Sequence, residues 1–381
     1  MEDFLSALWN ELDSYAGFGK GTVFGTVFLG GGTPSLLTPA QMEGILSHLH
    51  RRFAIAGDAE ITVETNPGTV TEEKLEAYRA LGVNRLSIGV QSFDPRELEF
   101  LSRIHTREQA LECVSSARKA GFENFSIDLI YALPGQTRAR WMKNLEQAVG
   151  LAPPHLSAYG LIVEDGTPLA RMVAAKQVSP APTDLEAGLY EATMEYLDAR
   201  GYEHYEVSNY AQPGYRSVHN YNYWMHGRYL GFGPSAHSFW HEGEQGDSAK
   251  RWWNIRSLSG YCQRLLHGES PRVSDEVLGT PELLTERVFL GLRSDGLDLT
   301  GLETDFGVLF GAQEKGLIDD LLRGGLATVR EGKLRLSSRG YLVCDEICVR
   351  LLKQTCFSSI LTKLDLSAAP GGICDDHMRV S

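Results

Sequence analysis

Four apolar, strand-like segments in the first third of the chain each end on a different polar group, and a helical pattern separates each from the next. They cover residues 22–32, 61–66, 85–91 and 126–134. Strands that alternate with helices pair in parallel, because the crossover helix returns the chain to the same end of the sheet. The carboxyl ends of parallel strands then share one face, where residues distant in sequence meet. Gly30, Gly31, Gly32, Thr33, Glu64, Gln91 and Asp128 are therefore expected to line one pocket.

The same alternation continues along the chain. A helix over residues 4–15 precedes strand 22–32, which runs through Thr38 as N-cap and Pro39 in the first turn into helix 39–53. Strand 61–65 leads to helix 71–81, strand 85–91 to helices near 95–103 and 107–120, strand 125–131 to helix 137–150, and strand 156–163 to helix 184–199. These are five strand–helix units, and a strand ahead of the leading helix would make six. Residues 201–240, dense in Gly, Tyr, His and Asn, read as a loop-rich closing wall. A boundary is expected in the polar stretch 241–250, giving domains 1–245 and 246–352. In the second, short helices and a turn at Glu331–Gly332 between two short strands suggest a winged-helix-like module. Residues 353–381 show no sustained periodicity and are expected to be poorly ordered.

Charge narrows the partners. Acidic residues outnumber basic ones 49 to 36, a net charge of -13, which argues against duplex nucleic acid or an anionic membrane as the main partner. No apolar run approaches the roughly 20 residues of a membrane span, and the acidic, helix-patterned N-terminus is unlike a secretory or transit peptide. A cytoplasmic protein is expected. Its six cysteines (113, 262, 344, 348, 356 and 374) then read as free thiols.

Each pocket residue has a plain alternative. The three glycines allow main-chain N–H groups to approach a carboxylate or phosphate, or simply make a tight turn. Glu64 could hold a ribose hydroxyl or an ammonium group, or cap the turn at 66–68. Gln91 offers a donor and an acceptor. Asp128 sits inside an apolar run, where a carboxylate needs a ligand or an internal cation. Arg103 could balance these acids or clamp a carboxylate.

The segments FLGGGTPSLL, VETNPGTV, GVNRLSIGVQSF, IHT, SIDLIYALPGQT, LSAYGLIVEDGTPL, YEVSNYA, HNYNYW and YLGFGPSAHSF, in that order between about residues 4 and 352, resemble the HemN/HemW branch of the radical S-adenosylmethionine proteins. HNYNYW and GFGPSAHS make the chain more similar to the haem chaperones of that branch than to its coproporphyrinogen oxidases. The resemblance implies an α/β fold: an open (β/α)6 radical-SAM-type barrel, here partial with its first strand missing, and a small C-terminal domain. It implies that Gly31, Gly32 and Thr33 contact the methionine part of S-adenosylmethionine, and that Glu64, Gln91, Arg103 and Asp128 complete its site. It also implies haem or porphyrin as a ligand and a haem-acceptor protein as a partner. The alternative function is oxygen-independent coproporphyrinogen III dehydrogenase, in porphyrin biosynthesis.

Members of the family hold a [4Fe–4S] cluster through C-x3-C-x2-C after the first barrel strand. The first cysteine here is Cys113, far past the glycine motif. Cys344, Cys348 and Cys356 lack the spacing, since the third cysteine of such a triad would fall on Leu351. The chain is expected to be either a truncated form of a longer protein or a natural isoform, and as written not to cleave S-adenosylmethionine reductively. Haem binding, implied by the resemblance, makes His219 in HNYNYW and secondarily His237 candidate iron ligands, with Tyr223, Trp224 and Phe239 able to pack the macrocycle. A histidine hydrogen-bonded within a structural motif is the equal alternative.

Overall fold

A computed structural model describes residues 1–242, 248–307 and 312–354. Of the expected tail 353–381, residues 353 and 354 instead close a helix, and the rest, like the expected boundary at 245/246, lies outside the described residues. In chain order, α1 (Glu2–Ser14) leads to β1 (Val23–Leu29) and α2 (Pro39–Arg52). Next come β2 (Ala54–Thr65) with α3 (Glu72–Ala80), and β3 (Arg85–Gln91) with α4 (Pro95–Phe100) and α5 (Arg107–Lys119). Then follow β4 (Phe125–Tyr131) with α6 (Arg138–Gly150), and β5 (His155–Gly160) with α7 (Pro168–Ala174) and α8 (Thr183–Asp198). β6 (Glu203–Glu206), β7 (Asn209–Ala211), α9 (Val218–Trp224), β8 (His237–Glu242), β9 (Ser248–Asn254), α10 (Leu258–Leu266) and β10 (Arg272–Leu278) come next. The chain continues with α11 (Thr280–Leu292), β11 (Leu297–Asp298), α12 (Leu299–Phe306), α13 (Ala312–Arg323), β12 (Ala327–Arg330), β13 (Lys333–Leu336), α14 (Ser338–Tyr341) and α15 (Cys344–Gln354).

The chain divides into two compact units. One holds residues 26–42 and 60–217; the other holds residues 1–25, 43–59 and those from 218 on. The main sheet has the order β1-β2-β3-β4-β5-β7-β6. Pairing is parallel from β2 to β5 and turns antiparallel at β5–β7 and β7–β6. The alternating strand–helix pattern thus produced the parallel part, a half-barrel. The β7–β6 hairpin lies within the segment read as a loop-rich wall; its strands are too short to show alternation. β2 starts at Ala54, earlier than expected, because the AIAGDAE run contains a glycine and acids that hide a strand.

Alternation fixes the two faces of β3–β5. Leu86, Ile88, Val90, Ile127, Leu129, Leu156 and Ala158 are buried on the face covered by helices, where Trp141 of α6 donates from Nε1 to Thr193 Oγ1 of α8 at 2.7 Å. Ser87, Gly89, Ser126, Asp128 and Ser157 occupy the alternate positions. A (β/α) barrel interior is normally filled by branched apolar side chains. Here it is polar, which suits a ligand rather than a packed core.

The other unit contains two three-stranded sheets, β10-β9-β8 and β11-β13-β12. The second belongs to the C-terminal module, whose core includes Leu284, Val288, Leu292, Leu302, Leu321, Leu334, Ile347 and Leu351. Its hairpin turn is Glu331–Gly332 as expected, with φ of +53° and +77°. Two consecutive left-handed residues make the I′-type turn that matches strand twist. In the same unit the HNYNYW segment forms helix α9 rather than a loop, its aromatic side chains at helical spacing.

Candidate functional site

The site begins where β1 ends. Gly31 and Gly32 both adopt left-handed φ, +71° and +61°, which a side chain disfavours. A Cβ on Gly30 would lie 2.6 Å from the Phe28 ring and 2.8 Å from Glu64 Oε1, so only glycine lets these groups close up. The turn delivers the Gly31 N–H to Glu64 Oε2 at 3.0 Å. Thr33 is partly engaged: its Oγ1 accepts from Asn66 Nδ2 at 3.3 Å, tying the glycine loop to the turn after β2.

Strand register carries the site across the sheet. Glu64 pairs with Ser87, Gly89 with Asp128, and Asp128 with Ser157. Asp128 accepts from Ser87 Oγ at 2.7 Å and from Ser126 Oγ at 3.1 Å. Gln91 ends β3, and its buried Oε1 has no partner among the described residues. Arg103, between α4 and α5, is half-buried and within electrostatic range of Asp128. The structure therefore links Gly31, Glu64, Arg103 and Asp128 directly or electrostatically, and places Gly32, Thr33 and Gln91 at the same strand ends. Sequence reasoning missed Ser87, Ser126 and Ser157, although a polar residue at every second position of an apolar strand signals them.

Both acids resist ionisation. Burial pushes the Asp128 carboxyl up, against the serine hydroxyls and the charge of Arg85. Burial and then the neighbouring Asp128 push Glu64 from 4.5 up to about 7, with the Gly31 N–H opposing. Folded Glu64 therefore keeps its proton up to about pH 7, while the unfolded chain releases it near 4.5. Stability from this group is complete below pH 4.5 and is lost as pH rises through about 7. Glu64→Gln, which keeps an acceptor for Gly31, is expected to show a melting-temperature advantage over wild type that grows from pH 5 to about pH 7 and then levels. A difference constant across that range in thermal melts refutes the assignment.

Two carboxylates with raised pKa values, a carboxamide oxygen without a partner among the described residues and left-handed glycine N–H groups fit a ligand that carries positive charge, hydroxyls and a carboxylate. S-adenosylmethionine has all three. The described cysteines do not fit a cluster of the family's type. Cys113 is buried on α5, and Cys344 and Cys348 are buried on α15 with sulfurs 4.0 Å apart. Among the described residues no three His, Cys, Asp or Glu side chains form a metal-binding group.

The radical SAM superfamily profile matches residues 9–148, and the HemN C-terminal domain profile matches residues 280–343. With the half-barrel, these matches define a radical S-adenosylmethionine protein carrying a HemN-type C-terminal domain. The chain is 35% identical over 350 residues to the heme chaperone HemW of Mycobacterium tuberculosis H37Rv, covering 92% of this chain and 86% of that protein. It is 40% identical over 236 residues to heme chaperone HemW of Escherichia coli K12, covering 62% and 61%. The solved coproporphyrinogen III oxidase HemN of Escherichia coli superposes with a TM-score of 0.76 at 25% identity, over 92% of this chain and 82% of that one. The chain belongs to the HemW family.

His219 lies on α9, with Nε2 3.0 Å from Tyr223 Oη and the two rings edge to face at 5.1 Å. His237 stacks on Trp253 at 5.7 Å. His204 stacks on Tyr210 at 4.5 Å, and burial pushes it down to about 4. No helix among the described residues is long and apolar enough to cross a membrane.

Proposed function

We propose that this chain binds S-adenosylmethionine in the half-barrel and haem as cargo, and hands haem to an acceptor protein in the cytoplasm. The observation that carries the haem reading is 35% identity to a heme chaperone over 86% of that protein's length. The paired acids at the end of a polar strand row support the nucleoside reading. Gly31, Gly32 and Thr33 hold the methionine end, and Glu64, Gln91, Arg103 and Asp128 complete the cradle. S-adenosylmethionine, once bound, supplies a cationic sulfonium, and the two carboxylates offset that charge. The sequence holds no C-x3-C-x2-C run, and the roles proposed for the chain are binding roles.

Purified chain incubated with haem is expected to retain it through gel filtration and to leave coproporphyrinogen III unconverted. Failure to retain haem overturns the chaperone reading, and conversion of coproporphyrinogen establishes the dehydrogenase alternative. His219→Ala is expected to shift the Soret band of the haem-loaded chain, with His219 ligating iron at the expense of its bond to Tyr223. An unchanged spectrum means another group holds the iron.

A further inference from the structure

Strand β3 ends in a strained turn. Gln91 has a φ of +66°, and the Ser92 N–H donates back across it to the Val90 carbonyl at 2.8 Å. A bond spanning one residue of such positive φ makes a γ-turn, which is rare and costly for a residue with a side chain. The turn coincides with a register break: Gly89 pairs with Asp128, and the next pair is Gln91 with Leu129. Gln91, 4% exposed, carries the Oε1 that has no partner among the described residues.

Strain of this kind persists only where the surroundings over-determine it. Two sets of contacts do so. Glu97 on α4, 4% exposed, accepts from Ser92 Oγ at 2.6 Å and Asn144 Nδ2 at 2.8 Å through Oε2, and from Gln136 Nε2 at 3.0 Å through Oε1. Asn144 Oδ1 in turn accepts the Phe93 N–H at 2.7 Å. From the segment that carries Arg103, His105 donates through Nε2 to the Val90 carbonyl at 3.1 Å. Burial holds His105 below its ordinary pKa, opposed by that bond and assisted by Arg103, so the ring stays neutral and serves as a fixed donor.

The geometry points to Glu97 as a positioning residue: with its hydrogen bonds to Ser92, Asn144 and Gln136, and with His105, it locks the γ-turn that presents the Gln91 carboxamide to S-adenosylmethionine. Glu97 touches no ligand itself. The inference rests on the reading above that Gln91 belongs to that site. Nothing in the residue's sequence position, an acid on a short helix, announces the role.

The test is a pair of double-mutant cycles read by calorimetric titration of S-adenosylmethionine into the full chain. Glu97→Gln keeps the size but replaces one acceptor oxygen with a donor facing donors. It is expected to weaken binding roughly tenfold, the equivalent of losing one net hydrogen bond. In a Gln91→Ala background the same change is expected to cost less than about twofold, and in an Asp128→Ala background roughly tenfold again. Faster amide exchange at Ser92 and Phe93 in Glu97→Gln accompanies it. If Glu97→Gln weakens binding equally in all three backgrounds, Glu97 acts only on overall stability and the positioning role is overturned. Should Glu97→Gln fail to fold, Ser92→Ala removes one of the three bonds and is held to the same pattern. If Gln91→Ala alone leaves affinity unchanged, the site reading falls and this inference with it. If Gln91→Ala weakens binding while Glu97→Gln does not, the positioning role alone falls.

Discussion

Asp128→Ala is expected to weaken S-adenosylmethionine binding by roughly ten- to a hundredfold, the scale of a lost hydrogen bond to a charged group. The carboxylate is aligned by Ser87 at 2.7 Å and Ser126 at 3.1 Å and lies opposite Ser157 in the strand register. Those hydroxyls fix its plane, so the ligand meets a pre-oriented acceptor. The same carboxyl is a burden on the unliganded chain, because burial raises its pKa from 3.8 and disfavours the ionised form. A raised folded pKa means stability is lost as pH rises through it. Asp128→Asn, which keeps the serine contacts, is therefore expected to melt at or above the wild-type temperature at pH 8 while binding more weakly. Opposite signs in the two measurements are the mark of a binding group retained against stability. Unchanged affinity in Asp128→Ala removes the residue from the site.

How much of this was legible in sequence depends on how local each cause is. β3 and β4 run over 85–91 and 125–131 as the apolar alternation predicts, because period two and β-branched content are local properties. Thr38 and Gln41 bond reciprocally at the start of α2, again a local signature. Gly30, Glu64 and Gln91 fall at or beside the ends of β1, β2 and β3 as the parallel topology predicts, whereas Asp128 is the middle residue of β4; Glu64 and Asp128 are still close enough for one to raise the other's pKa. Glu97 shows the opposite case. On a short helix it reads as a solvated acid; only tertiary packing buries it among Ser92, Gln136 and Asn144. The conformation of Gln91 is likewise invisible, since glutamine carries no preference for positive φ. HNYNYW misled for a third reason: aromatic and amide residues favour neither helix nor loop strongly, and packing decided for α9.

Glu286→Ala is expected to destabilise the unit that contains it by about 3–5 kcal/mol, because it strands two groups at once. Glu286, on α11 within the HemN C-terminal match, is 5% exposed and accepts from His226 Nε2 at 2.8 Å and from Arg251 Nη2 at 2.7 Å through each oxygen. Burial pushes its carboxyl up, but the His226 bond and the Arg251 charge outweigh that and hold it below 4.5. With a lowered folded pKa, this stability is present above pH 4.5 and lost as pH falls through the folded value. His226 is held in place: it is 6% exposed, adopts a φ of +57° and stacks on Phe239 at 4.7 Å. Arg251 provides an internal control. Its second nitrogen reaches Glu276 at 2.8 Å, but that carboxylate is 43% exposed, so water can replace it. Glu276→Ala is therefore expected to cost at most about 1 kcal/mol. Urea unfolding followed by tryptophan fluorescence, with Trp252 and Trp253 directly after Arg251 on β9, compares the two variants directly. Equal losses would mean that the arginine's charge, rather than the buried three-way contact, holds this part of the unit together.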